Sequence, residues 1–167
     1  ECLSKFIGNV RTESDKMTII ADSVDHKLRQ FVDRSEAANI EILHETLGSN
    51  GASFRFQIDF ATSLPDGEIV MFQEDDYLYM PANWPYRTNT TYHELINEAL
   101  DFAEYVSFYD HPDKYLSPKF GGNKYITDQG VENTGIFRTE NSHWKYTNST
   151  TCTFATTAKV IKQDQKI

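Results

Sequence analysis

The sequence predicts an α/β fold in which helices flank a mostly parallel central sheet and a small antiparallel annex follows. Over residues 2–76, segments with helical spacing of apolar residues alternate with short, continuous apolar runs. That alternation indicates parallel strands joined by crossover helices. Over residues 124–157 the pattern changes to Thr and aromatic residues interrupted by Gly and Asn, which favours short antiparallel strands.

The first half of the chain supplies three helix–strand pairs. In chain order, the predicted elements are a helix over 2–10, a strand over 17–21, a helix over 25–36, a strand over 40–43, a helix over 54–61 and a strand over 68–72. The strands are short, apolar and partly β-branched, as expected for buried strands of a parallel sheet. A glycine-containing loop over 48–53 offers N-caps for the third helix, and Pro65-Asp66-Gly67 predicts the turn into the third strand.

The second half is predicted to add a helix over 91–102, a strand over 105–109 and a closing helix over 158–167. The sequence contains no internal repeat, low-complexity tract or flexible linker. A length of 167 residues suits one continuous hydrophobic core and not two. Residues 1–167 are therefore predicted to form a single domain.

The charge balance narrows the classes of partner. Lys and Arg total 16 against 25 Asp and Glu, which gives a formal charge of -9, so the surrounding field repels duplex nucleic acid. A diphosphate ligand would need a bridging divalent cation or local N–H donors. No apolar stretch reaches the roughly 20 residues of a membrane span, and no leader opens the chain. Cys2 and Cys152 lack metal-ligand spacing. A cytoplasmic protein with reduced cysteines is expected. The alternative is one long-range disulfide between Cys2 and Cys152.

Acidic residues follow three of the predicted strands. Asp22 follows one strand, Glu74-Asp75-Asp76 follows another and Asp110 follows a third. Ligands of an open α/β sheet bind beyond the carboxyl ends of its strands, and clustered carboxylates select hard cations such as Mg²⁺ or Mn²⁺. These positions therefore predict a metal–phosphate site. The alternative is that they are solvated turn residues, as Asp and Glu usually are.

A family resemblance sharpens this interpretation. The stretch Gly48–Arg55, followed by Ala61, Gly67–Val70 and Glu74-Asp75-Asp76, resembles family 2 glycosyltransferases. In that family a Gly-rich loop and an Arg-bearing helix lead into a strand that ends in an Asp-x-Asp-type metal motif. Residues 105–115 and 150–155 also resemble segments of viral and bacterial members, including the transferase domain of a large algal virus. For a viral protein, the expected location is the host cytoplasm.

The resemblance implies a glycosyltransferase A-type nucleotide-diphospho-sugar transferase fold, in which a strand normally precedes the first helix; residues 1–167 would lack that strand. It also implies roles for individual residues. Asp76 would coordinate the metal, and Asp75 would contact the ribose or the metal shell. Glu74 departs from the Asp that is commoner at the first motif position. Asp22 would hydrogen-bond the nucleotide base, and Arg55 would lie near the diphosphate or the sugar. The alternatives are that Asp22 caps the next helix and that Arg55 is a surface cation.

The implied reaction moves a sugar from a nucleotide-diphosphate donor to a hydroxyl of a carbohydrate or glycoprotein acceptor, with inversion. A bound Mn²⁺ or Mg²⁺ would stabilise the leaving diphosphate. The resemblance puts the base that deprotonates the acceptor late in the domain, where Asp164 is the candidate and a solvated helix residue is the alternative. The rival classes are a metal-dependent phosphohydrolase or nucleotidyltransferase, and a non-catalytic carbohydrate-binding module.

Further side chains are candidates for ligand contacts, although a structural role is the alternative for each. Two histidines, His111 and His143, could add metal or phosphate contacts. Three aromatic residues, Trp84, Trp144 and Tyr146, could stack on an acceptor sugar or simply pack.

Overall fold

The computed structural model describes residues 2–34, 39–80, 90–109, 115–116, 118–120, 135–147 and 150–165. These residues form a mixed α/β arrangement, as predicted. The helices are α1 (Cys2–Asn9), α2 (His26–Asp33), α3 (Asn50–Ala61), α4 (Tyr92–Leu100) and α5 (Ala158–Asp164), with a 3₁₀ turn at Pro118–Phe120. The strands are β1 (Met17–Asp22), β2 (Ile40–Glu45), β3 (Ile69–Phe72), β4 (Ile136–Arg138), β5 (His143–Lys145) and β6 (Phe154–Thr157).

Side chains at the N-termini fix where four of the helices begin. The Asp25 carboxylate accepts from two backbone amides of α2, and Ser49 caps α3. Thr91 and Glu94 form a reciprocal capping box at the start of α4. Thr157 caps α5, so that helix follows β6 without a loop. Each cap satisfies amides that the first turn of a helix leaves unpaired.

Fewer of the described strands pair in parallel than the sequence predicts. Within the described residues, β1 and β2 pair in parallel from Met17 with Ile40 to Asp22 with Glu45. β3 instead pairs antiparallel with β6, and β4 pairs antiparallel with β5. The last pair is the predicted antiparallel annex. β6 fits beside β3 because Ala155 and Thr156 are small residues that are almost completely buried.

The predicted strand over 105–109 is reduced to one bridge, between Val106 and Ala155. The side chain of Ser107 prevents the β-ladder from continuing beyond this bridge. The Ser107 hydroxyl donates to the Thr153 carbonyl at 2.7 Å and accepts from the Tyr109 amide at 3.1 Å. The hydroxyl thereby takes the carbonyl that a continuing ladder would use, which is how Ser side chains compete with secondary structure.

The hydrophobic core lies on both faces of β3, because alternate side chains of a strand point to opposite sides. Phe72 belongs to one cluster, with Ala61 of α3, Phe154 of β6 and Ile161 of α5. Met71 packs against a second cluster, formed by Val10, Tyr79 and Tyr92. β3 therefore has hydrophobic core on both faces, and Glu74, Asp75 and Asp76, which come shortly after it, are exposed. No helix in the described ranges is both long enough and apolar enough to cross a membrane.

Candidate functional site

Asp22 ends β1, and its carboxylate ties three segments together. The carboxylate accepts from the amide of Leu47 at 2.8 Å, from the hydroxyl of its neighbour Ser23 at 2.8 Å and from the hydroxyl of Ser53 in α3. These donors, led by the Ser53 hydroxyl and helped by the amides of Leu47 and Gly48, lower the pKa of the Asp22 carboxyl. The Asp22 carboxylate thus connects β1 to the loop after β2 and to the first turn of α3.

This geometry decides one of the alternatives for Asp22. The following helix is capped by Asp25, so Asp22 is not its cap. An ionised carboxylate has about four acceptor positions, and the chain's own donors use most of those of Asp22. The predicted contact between Asp22 and a nucleotide base stays a prediction. What Asp22 does in the described structure is hold the glycine-containing loop that precedes α3.

An Asp22→Asn substitution tests that role. A lowered folded-state pKa means that Asp22 stabilises the fold above the ordinary carboxyl pKa of 3.8, and that this contribution is lost as the pH falls through the folded-state value. We expect the substitution to speed hydrogen exchange at Leu47 and Gly48. We also expect the difference in free energy of unfolding between parent and variant to shrink below about pH 4. A difference independent of pH, in denaturant titrations controlled by Asp101→Asn, would contradict this assignment.

The acidic cluster Glu74-Asp75-Asp76 comes just after β3, in a turn where all three side chains are exposed. Glu74 is attached to the segment before β6. Its amide donates to the Thr153 hydroxyl at 3.2 Å, and that hydroxyl lies 3.4 Å from the Glu74 carboxylate. Burial, followed by the charge of Glu74, raises the pKa of the Cys152 thiol. Glu74, which departs from the family motif, thus has a structural contact of its own.

Asp75 and Asp76 differ from Glu74 in having no such attachment. Among the described residues, neither carboxylate takes part in a hydrogen bond or an ion pair. The described residues also contain no group of three or more His, Cys, Asp or Glu side chains that could hold a metal ion. An all-protein cage is therefore not formed there. The pair fits a cation held by one or two carboxylates and completed by phosphate and water, which is how Mg²⁺ is usually bound.

Two residues near these strand ends have backbone conformations that the sequence does not reveal. Ser23, next to Asp22, has φ 54°, and Thr151, before β6, has φ 57°. Left-handed φ values are uncommon for residues other than Gly and costly for a β-branched residue such as Thr. The Thr151 hydroxyl lies 3.3 Å from the hydroxyl of Tyr77, just past the acidic cluster. Such strain is typical of functional sites and costs about 1–3 kcal/mol per residue.

Arg55 is not brought near Asp22 or the acidic cluster by any described contact. Its Nε donates to Asp59 at 3.1 Å, one turn further along α3, and 69% of its side chain is exposed. Ser53, which bonds Asp22, lies about 200° around the same helix from Arg55. The described structure therefore gives Arg55 the role of a surface cation on α3. A contact with a diphosphate stays a prediction.

Asp164 lies at the end of α5 and accepts a hydrogen bond from the Tyr105 hydroxyl. Burial of the phenol, followed by its bond to Asp164, raises the pKa of Tyr105. α5 starts beside β3's first residues, since the Ala158 amide donates to the Glu68 carbonyl at 2.9 Å. The acidic cluster follows the other end of β3, and no described contact joins it to Asp164. The catalytic role of Asp164 stays a prediction.

Two of the aromatic candidates, Trp144 and Tyr146, lie in or next to the annex. The indole of Trp144 donates to the Thr139 hydroxyl at 3.2 Å and packs 5.7 Å from the ring of Phe108, so it has a packing role. The ring of Tyr146 lies 4.9 Å from that of Phe137 and remains 48% exposed. His143 is exposed on β5. Asp110, His111 and Trp84 lie outside the described residues.

The fold and the site together define a mixed α/β protein with an exposed acidic pair shortly after β3, a strand that has hydrophobic core on both faces. Comparisons with protein-family models, with curated proteins and with solved structures find no match.

Proposed function

We propose that this chain is a metal-dependent glycosyltransferase of the glycosyltransferase A type, which transfers a sugar from a nucleotide-diphosphate donor to a hydroxyl acceptor with inversion. The observation that carries the proposal is the position of Asp75 and Asp76. Both carboxylates are exposed and unpaired among the described residues, directly after a strand that has hydrophobic core on both faces. Open, mostly parallel α/β sheets bind their ligands beyond the carboxyl ends of the strands, and the proposed fold would make β3 a strand of such a sheet.

A cation bound by Asp75 and Asp76 would reduce the repulsion between their carboxylates. Adjacent carboxylates repel each other in a protein whose formal charge is -9, and a diphosphate would add more negative charge. A Mn²⁺ or Mg²⁺ ion held by Asp76 and Asp75 offsets both sets of charge. The same ion would stabilise the charge that develops on the leaving diphosphate. The protein would supply the carboxylates of Asp75 and Asp76 as oxygen ligands for this ion, shortly after β3.

The described sheets would be compatible with the proposed fold if one further strand joined them. Within the described residues β1 pairs with β2 and β3 pairs with β6, whereas β1 and β3 do not pair with each other. The family resemblance implies one further strand ahead of α1. A strand between β1 and β3 would complete a single sheet and would place Asp22 about 10 Å from the end of β3. That separation suits a nucleotide bound at Asp22 and a diphosphate at Asp75 and Asp76.

Binding of the donor is the decisive experiment. We expect calorimetric titration to detect one of the UDP-, GDP- or dTDP-sugars in the presence of Mn²⁺ and to detect much weaker binding when the metal is chelated. The titration is made on residues 1–167 and on a longer chain extended at its N-terminus by the strand that the family resemblance implies. Metal-independent binding, or no binding of any donor by the longer chain, would contradict the proposal.

A non-catalytic carbohydrate-binding module is the second candidate. The observation that favours it is the position of Asp164, which is bonded to Tyr105 and has no described contact with the acidic cluster. A module of this kind would bind a carbohydrate and would release no nucleotide from any donor. Measuring nucleotide release alongside donor binding separates the two candidates. In either case we propose that the protein acts in the cytoplasm, in the host cytoplasm if its source is viral.

A further inference from the structure

Asn50, the first residue of α3, is followed by glycine. It is the only Asn of the chain that has Gly as its next residue, and both residues are exposed. Because Gly51 carries no Cβ, its backbone nitrogen approaches the preceding side chain with little steric hindrance. The electrophilic carbon of the Asn50 side-chain amide is then within reach of that nitrogen. The dipeptide therefore supplies the two groups that a spontaneous deamidation requires.

Asn50 also differs from the other described Asn residues in its hydrogen bonding. The side-chain amides of Asn9, Asn39 and Asn97 donate to backbone carbonyls at 2.9, 2.9 and 2.8 Å. That of Asn141 donates to a carboxylate on α4. Within the described part of the chain, the Asn50 side chain has no such acceptor. A bonded amide is held in one orientation, whereas the amide of Asn50 is free to turn toward the backbone.

The attacking nitrogen, the amide of Gly51, likewise has no acceptor among the described residues. The first turn of a helix leaves its amides without intrahelical acceptors. In α3 the Ser49 hydroxyl accepts from the Ala52 amide at 3.2 Å, and the Ser49 carbonyl accepts from the Ser53 amide at 2.9 Å. Neither acceptor serves Gly51. A Cβ atom at position 51 would meet no atom within 4 Å, so the surroundings of this nitrogen are open.

We propose that Asn50 is a site of spontaneous deamidation through a succinimide ring. The Gly51 nitrogen loses its proton and attacks Cγ of Asn50. A C–N bond forms, the bond from Cγ to Nδ2 breaks, and the side-chain nitrogen leaves as ammonia with that proton. Water then opens the ring at either carbonyl, which gives Asp or isoaspartate at position 50. Water is the only co-reactant. This inference is independent of the proposed transferase activity.

Two side chains that hold the first turn of α3 set the rate of this reaction. A helical backbone keeps the Gly51 nitrogen away from Cγ, so the ring closes only when that turn opens. Ser49 caps the turn, and the Ser53 hydroxyl attaches it to Asp22. Loss of such a cap raises the population of the open turn about fivefold. The rate of deamidation therefore measures how firmly the loop before α3 is held.

The two products should affect the helix differently. Asp at position 50 places a negative charge at the N-terminus of α3, where the helix dipole stabilises it. Isoaspartate instead extends the main chain by a side-chain carbon, which disrupts the spacing between the Ser49 cap and the Ala52 amide. We expect the isoaspartate form to lose protection from hydrogen exchange at Ala52 and Ser53. The Asn50→Asp variant should keep that protection.

Peptide mapping of the aged protein tests the proposal. The full chain is incubated in mildly alkaline buffer made with heavy-oxygen water and is then digested with trypsin in ordinary water, so heavy oxygen marks deamidation that precedes digestion. The tryptic peptide 35–55 contains both Asn50 and Asn39. Asn39 is followed by Ile and is hydrogen-bonded, so it is an internal control. We expect heavy oxygen at position 50 and not at position 39, in two products that separate by chromatography.

Two variants separate the proposed chemistry from general ageing of the protein. Gly51→Ala should slow the reaction at least about fivefold, because Ala favours the helix and hinders the attacking nitrogen. Ser49→Ala should speed the reaction about fivefold, since it removes the cap. The same chain in denaturant gives the rate without the helix. Deamidation of Asn50 in denaturant but not in the folded chain would overturn the proposal, as would equal rates at Asn50 and Asn39 or a rate that Gly51→Ala leaves unchanged.

Discussion

Replacing Asp75 and Asp76 together by Asn should lower metal-dependent sugar transfer by at least about a hundredfold. Both substitutions keep the size of the side chain and remove the charge that would hold the cation, so the loss falls on stabilisation of the leaving diphosphate. Because the two side chains are exposed and make no described contact, the free energy of unfolding should change by less than about 0.5 kcal/mol. The measurement pairs initial rates of nucleotide release with denaturant titration.

A matched variant separates loss of a metal site from loss of negative charge. Asp101→Asn combined with Glu13→Gln removes the same charge from exposed positions and should retain the parent's rate. A rate that is unchanged in the Asp75/Asp76 variant would remove the metal site on which the proposed function depends. Equal losses in the two double variants would show that overall charge, and not a bound cation, governs activity.

Asp164→Asn separates binding from catalysis. If Asp164 deprotonates the acceptor, the variant binds donor and Mn²⁺ as the parent does and transfers sugar at least about a hundredfold more slowly. The contact with Tyr105 needs its own control, because the substitution also changes that hydrogen bond. Tyr105→Phe removes the same bond and leaves the carboxylate in place. A similar loss in both variants would give Asp164 a positioning role, and transfer at the parent's rate would remove it from the reaction.

The helices and strands of this fold could be predicted because the residues that determine each of them lie close together in the sequence. Continuous apolar runs gave β1, β2 and β3, and caps such as Ser49 and Thr91 lie next to the apolar spacing of the helices they start. The pairing of β3 could not be predicted. β6 joins it antiparallel, with Phe72 opposite Phe154, a residue 82 positions further along the chain, and no periodicity within a short window encodes that partner.

The candidate site could likewise be predicted only where its signals are local in the sequence. The position of Asp75 and Asp76 after β3 follows from strand and turn signals. The attachment of Asp22 to Ser53 does not, because it links residues 31 apart through a side chain. Thr151 gave no signal either, since nothing about a Thr in a polar stretch indicates a left-handed backbone. Its contact with Tyr77 depends on the antiparallel return of β6, which the sequence left open.

Phe154→Ala should be the most destabilising single substitution considered, with a loss of about 3–5 kcal/mol in the free energy of unfolding. Phe154 is 6% exposed and lies within ring-contact distance of three aromatic residues. Its centroid is 4.9 Å from that of Phe72, 5.4 Å from Tyr105 and 6.2 Å from Phe54. Removing the ring leaves a cavity between β3, β6 and α3. For a chain of this size the melting temperature should fall by about 10 °C.

The same substitution connects the core to the site, because Phe154 follows Thr153, whose hydroxyl holds Glu74. We expect hydrogen exchange of the Glu74 amide to rise in Phe154→Ala by more than global unfolding explains, since β6 anchors the turn that carries the acidic cluster. Phe60→Ala is the matched control, as Phe60 is a 40% exposed residue of α3 and should cost about 1 kcal/mol or less. Equal losses for the two variants would mean that β3 and β6 do not form the central contact of the fold. A cluster that keeps its exchange protection in Phe154→Ala would mean that the acidic turn is positioned independently of β6.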